Sequence, residues 1–112
     1  MIQLLKEAIK QHQEGQLDQA ESGYRQVLAA SPDNADALHY LGVLLHQLGH
    51  SKEGARLIRK AINHCPDYVD AHKNLGNVLQ ESEDLEKAEE CYRTAIKLRP
   101  DDAEAHTNLS VL

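Results

Sequence analysis

Seven histidines, His12, His39, His46, His50, His64, His72 and His106, stand in a chain of 112 residues beside Cys65 and Cys91. Imidazole and thiolate are the side chains that bind zinc and carry much acid–base and nucleophilic chemistry. Here no Cys/His group has zinc-finger spacing, and the two cysteines lack a CxxC arrangement. His46 and His50 are four apart, but Gly49 interrupts the helix that would aim both at one ion. His12, His39 and His46 suit packing or solvated roles along one wall. No set of nucleophile, base and oxyanion donor is evident. The sequence therefore predicts no catalysis, metal or cofactor. Asn74 and Asn108 each carry a group that both donates and accepts hydrogen bonds, as a peptide unit does. They lie 34 residues apart, and that interval recurs throughout the chain.

The stretches "SPDNADALHYLG", "CPDYVDAHKNLG" and "RPDDAEAHTNLS" begin at Ser31, Cys65 and Arg99. Pro32, Pro66 and Pro100 are the three prolines of the chain, each followed by aspartate. Aligned on them without a gap, Leu41, Leu75 and Leu109 share one position, and Gly42, Gly76 and Ser110 the next. Ala20, Gly54 and Ala88 coincide, as do Tyr24, Ile58 and Tyr92, and Val27, Ala61 and Ala95. A strict period of this length predicts a solenoid, in which each unit buries its apolar face only by stacking on the next.

Within a unit the apolar spacing is helical. Leu38, Leu41, Leu45 and Leu48 share a face, and so do Leu85, Ala88, Tyr92, Ala95 and Ile96. Gly15 and Gly49 supply the left-handed residue that ends a helix, while Glu83 takes that place in the third unit and predicts a less ideal turn. Proline stops each second helix. Asp33, Asp67 and Asp101 are expected to cap the helices that follow, each with an acidic residue three places on. The pattern predicts seven helices near 1–14, 17–30, 35–48, 51–64, 69–82, 85–98 and 103–112. Gly54 weakens its helix, and Gly54→Ala is expected to stabilise by about 1 kcal/mol or less if a methyl has room.

A 34-residue helix–turn–helix with small residues at positions 8, 20 and 27, a large one at 24 and proline at 32 resembles the tetratricopeptide repeat. The resemblance spans the chain as units 1–34, 35–68 and 69–102, with 103–112 opening a fourth. It implies an all-α, right-handed superhelix of antiparallel helix pairs whose first helices line a concave groove for protein or peptide. Carried over by position, the groove residues are Asp36, His39, Tyr40, Val43, His46 and Gln47, then Asp70, Lys73, Asn74, Asn77, Gln80 and Glu81, then Glu104, Thr107, Asn108 and Val111. Ile2, Leu5, Lys6, Ile9, His12 and Gln13 open it, with the Ile2–Leu5–Ile9 stripe expected to be buried. "DAHKNLGNVL" and "EAHTNLSVL" resemble the superhelical arm of the O-linked N-acetylglucosamine transferases, where an asparagine ladder holds substrate backbone. That implies Asn74 and Asn108 as ladder members, against the plainer reading of ordinary exposed asparagines. Lys73, Asn77 and Asn108 resemble part of the carboxylate clamp of chaperone-binding members, although Asp70 and Glu104 beside them oppose an anion.

Composition narrows the partners. Net charge is −6 with both signs interleaved, which disfavours nucleic acid and anionic membranes. No segment has the length and hydropathy of a membrane span, no leader is read at the N-terminus, and the unpaired cysteines suggest a reduced, cytoplasmic setting. Gln3, Glu7, Lys10 and Gln11 give the first unit the polar face of a solenoid end. Ala105, Leu109 and Leu112 are interior types, so the sequence reads as part of a longer protein, with weak self-association expected through that end. The function read from the sequence is a non-catalytic peptide-binding scaffold. The alternatives are the substrate-docking arm of a larger, glycosyltransferase-like enzyme and a structural self-association module.

Overall fold

The computed structural model describes residues 2–112. They form seven helices: α1 (Ile2–Gln13), α2 (Leu17–Ala30), α3 (Ala35–Gln47), α4 (Ser51–His64), α5 (Val69–Glu81), α6 (Leu85–Leu98) and α7 (Ala103–Ser110). No strand occurs among the described residues. Each end lies within two residues of the predicted position, apart from the undescribed Met1.

The punctuation works as polymer geometry requires. Gly15, Gly49 and Glu83 have φ of 80°, 92° and 65°. Each lies just past the end of α1, α3 or α5. The next residue's N–H returns to a carbonyl five residues back: Gln16 to Gln11 (2.8 Å), His50 to Leu45 (2.8 Å) and Asp84 to Leu79 (2.9 Å). These are Schellman closures, and glycine enters the left-handed region without the Cβ clash that Glu83 bears.

The helix caps differ from expectation. Asp33, Asp67 and Asp101 cap nothing. They occupy the third position of tight turns closed by N–H of Asn34 to the carbonyl of Ser31 (3.1 Å), Tyr68 to Cys65 (3.0 Å) and Asp102 to Arg99 (3.1 Å). Proline at the second turn position fixes that geometry, so the capping position falls one residue later, while the helices start at Ala35, Val69 and Ala103 as predicted. Asn34 then caps α3 by accepting from Ala37 N–H (2.9 Å), and Asp102 caps α7 by accepting from Ala105 N–H (3.0 Å). Tyr68 holds the same place before α5 with no side-chain cap. His72 and His106 reinforce their turns, with Nε2–H donating to the carbonyls of Pro66 (2.8 Å) and Pro100 (2.7 Å).

Packing follows the repeat. One core joins Ala8, Ala20, Tyr24, Leu38, Leu41 and Leu44; the next joins Ile58, Ala71, Leu75, Val78, Ala88 and Tyr92. Leu5 and Ile9 pack against the first, as expected, but Ile2 is 75% exposed. Leu109 packs against the second, while Val111 and Leu112 are exposed. Gly54 does not have room for a methyl. A Cβ there would stand 2.5 Å from the carbonyl oxygen of Gly42, and a Cβ on Gly42 would stand 2.7 Å from that of Gly54. The two glycines face each other across α3 and α4 and let the backbones approach closely, so the expected stabilisation by alanine is reversed.

Candidate functional site

Every helix pair packs on the next through its second helix, α2 on α3, α4 on α5 and α6 on α7. The first helices also touch one another directly, α1 with α3 and α3 with α5, and so form the inner wall. Two hollows lie along it. One of about 400 Å³ is lined by Val43, His46, Gln47, Asn74, Asn77, Val78 and Glu81. The other, about 470 Å³, sits at the starts of α3 and α5, between Asn34, Asp36, Cys65, Tyr68, Asp70 and Arg99.

A chain of side-chain hydrogen bonds runs under this wall. Asn108 Nδ2 donates to Asn77 Oδ1 (3.3 Å), and Asn77 Nδ2 donates to Asn74 Oδ1 (3.4 Å). Asn74 Nδ2 lies 2.7 Å from His39 Nε2, His39 Nδ1 lies 3.0 Å from the Tyr68 hydroxyl, and that hydroxyl donates to Asp36 (2.6 Å). The Tyr92 hydroxyl reaches Asn77 Oδ1 (2.6 Å) and Gln80 Oε1 (2.9 Å) from beneath. Helices α3, α5, α6 and α7 are thereby tied together through polar groups, and among the described residues no buried side-chain nitrogen or oxygen lacks a partner.

The other wall histidines obey a repeat rule. His12 donates from Nε2 to Gln47 (2.6 Å) and His46 donates from Nε2 to Glu81 (2.5 Å), in each case position 12 of one unit to position 13 of the next. Their Nδ1 atoms pair with the hydroxyls of Tyr24 (2.9 Å) and Ser51 (2.8 Å). Among the described residues no group of three or more His, Cys, Asp or Glu is placed to hold a metal ion.

Position 5 also reaches forward, to the residue that opens the next first helix. His39 meets Tyr68, and Lys73 meets Asp102 at 3.0 Å. Asp70 (3.5 Å) and Glu104 (3.8 Å) flank the Lys73 ammonium. Burial works to lower the pKa of Lys73, but the bond to Asp102 and the carboxylates of Glu104 and Asp70 prevail and raise it. Asp102 is held below its ordinary range by the Ala105 N–H and by Lys73. Burial pushes His39 down to about 4, with Asp70 and Asp36 opposing the shift, so its imidazole is neutral at pH 7.

Comparison with known proteins decides the family. A family model described as "Tetratricopeptide repeat" matches residues 69–102, and one described as "TPR repeat" matches residues 11–49. The chain is a tetratricopeptide-repeat protein. No curated protein sequence matches it. Among solved structures, a mutant of the Thermobaculum terrenum O-GlcNAc transferase superposes with a TM-score of 0.93 at 37% identity, over 96% of this chain and 21% of the transferase. The chain thus spans about a fifth of that enzyme's length, and its repeats resemble the enzyme's repeat region. The first TPR of Spaghetti (RPAP3), bound to the HSP90 peptide SRMEEVD, gives a TM-score of 0.92 at 21% identity, over 98% of this chain and 87% of that one. The first TPR domain of human RPAP3 gives 0.91 at 21% identity, over 96% and 85%.

Against the repeat's groove positions, Asp36, Gln47, Asp70, Glu81, Glu104 and Thr107 are exposed. Tyr40, Val43, His46, Asn74, Asn77, Gln80 and Asn108 are half-buried, and Val43, His46, Asn74 and Asn77 line the hollow of about 400 Å³. His39 and Lys73 are 2% and 8% exposed and sit beneath the surface. Lys73, enclosed by Asp102, Asp70 and Glu104, has no free charge for a ligand carboxylate. Tyr68 and Asp102 escaped the sequence reading. The clue was their shared distance of 29 residues from His39 and Lys73. No helix among the described residues is long and apolar enough to cross a membrane.

Proposed function

We propose that the concave wall of this tetratricopeptide domain holds an extended polypeptide, with Asn74 and Asn108 bonding to its backbone and without chemistry of its own. The observation that carries this reading is the line of amides Asn74, Asn77 and Asn108 beside an open hollow. Asn74 spends one N–H on His39 and one lone pair on Asn77, which leaves one donor and one acceptor for a peptide unit. Peptide recognition of this kind draws affinity from main-chain bonds and specificity from side-chain pockets. The RPAP3 domain bound to a peptide supports the fold's capacity to do this.

The second reading is that these repeats form the docking arm of a larger glycosyltransferase. The 37% identity to the O-GlcNAc transferase over nearly the whole chain favours it. A glycosyltransferase domain encoded in the same reading frame would support it.

The test is selection from a peptide library, followed by affinity measurement on native protein and the Asn74→Ala/Asn108→Ala double variant. The loss of two backbone bonds should weaken binding roughly tenfold or more. Because both amides also serve the internal chain, the variant should lose about 1–2 kcal/mol of stability as well, so binding is compared well below its melting temperature. Equal affinity in the folded double variant contradicts the proposal.

A further inference from the structure

The geometry points to His39 as a positioning residue that fixes which way the Asn74 amide faces, under orders from the Asp36 carboxylate relayed through Tyr68. This inference rests on the groove reading above and deepens it. The polarity follows from counting protons. An ionised carboxylate only accepts, so the Tyr68 hydroxyl, 2.6 Å from Asp36, must give its single proton there. The Tyr68 oxygen is then free only to accept, so His39 Nδ1, 3.0 Å away, must carry a proton. A neutral imidazole has one N–H, which leaves Nε2 as a bare lone pair. Its neighbour at 2.7 Å must donate, so Asn74 turns its Nδ2 toward α3 and its Oδ1 toward Asn77. Asn77, in turn, donates to that oxygen.

The bonds therefore run head to tail in one direction, and such chains reinforce themselves by polarisation. The spare N–H and the spare lone pair of Asn74 consequently occupy fixed sides of the groove instead of exchanging by a flip of the amide. His39 touches no ligand, and its influence passes through Asn74. Lys73, at the same repeat position one unit later, cannot do this, because an ammonium has no lone pair to receive a donor. The device belongs to the α3–α5 junction.

The test is nuclear magnetic resonance of the ¹⁵N-labelled 112-residue chain at pH 7, without any ligand. His39 should show a protonated Nδ1 and an unprotonated, acceptor-type Nε2. A through-hydrogen-bond coupling should join Nε2 to Asn74 Nδ2. In Tyr68→Phe the relay is cut, the proton should move to Nε2, and the coupling should vanish. Should Tyr68→Phe not fold, Asp36→Asn at the exposed end serves instead. Its amide no longer forces the direction of the relay, so the single tautomer should be lost. A native His39 protonated on Nε2, or a tautomer unchanged in the folded variant, overturns the assignment. Since no peptide is present, that result would leave the groove reading intact. A groove that binds no peptide would in turn leave the tautomer result standing.

Discussion

Gly54→Ala should lower the stability of the protein by roughly 2 kcal/mol. Two effects oppose each other. Alanine gains about 1 kcal/mol of helix propensity over glycine. The added methyl meets the carbonyl oxygen of Gly42 at 2.5 Å, a backbone atom that no rotamer change can remove. Overpacking costs about 1–3 kcal/mol when side chains can shift, and here α3 and α4 must separate as bodies, which places the cost at or above that upper end. In a domain of this size the net loss corresponds to a fall of roughly 8 °C in melting temperature. Helix α3 carries Asp36, His39 and Val43, so the separation should also disturb the groove wall. Thermal denaturation of the variant checks this, and a melting temperature at or above that of the native chain would contradict the close-approach account.

Acidification should unfold the protein earlier than its surface carboxylates alone would, because of His39. In the folded chain its imidazole remains neutral down to about 4, whereas in the unfolded chain it protonates near 6.5. Between those values the unfolded state binds more protons, so stability falls as pH drops from 6.5 toward 4. The difference amounts to about 3 kcal/mol once both pKa values are passed. The groups facing the ring are Tyr68, Asn74, Tyr40 and the carboxylates of Asp36 and Asp70. The carboxylates soften the effect of burial without cancelling it. His39→Gln offers an acceptor to Asn74 and a donor to Tyr68 but has no proton to gain. Denaturant midpoints measured from pH 7 to 4 should decline less steeply in this variant, and parallel profiles would sink the prediction.

The helices were legible because their signals are local. A 3.6-residue period, glycine at the turns and proline at the junctions need no knowledge of what packs where. The caps were misread by one residue because the Pro–Asp pair serves two structures at once. It ends one helix and builds the turn before the next, and only the turn's closing bond at Asn34, Tyr68 and Asp102 fixes which residue takes the capping position. Gly54 was misread because its neighbour is Gly42, twelve residues earlier in another helix. A propensity scale sees one helix at a time, and the distance between two backbones is a property of the pair. The exposure of the residues carried over as groove positions was not legible. Whether a position-5 side chain reaches solvent depends on the residue that opens the next unit, which covers His39 with Tyr68 and neutralises Lys73 with Asp102.

The central claim, that the inner wall of α3, α5 and α7 receives a polypeptide, is tested most directly by mapping where a library-selected peptide perturbs the ¹⁵N–¹H spectrum. The side-chain amides of Asn74, Asn77, Asn108 and Gln47 should shift together with backbone amides of those three helices. Lys52, Arg59 and Lys87, on α4 and α6, should stay in place. Perturbations gathered on α4 and α6 with the four amides silent would contradict the account.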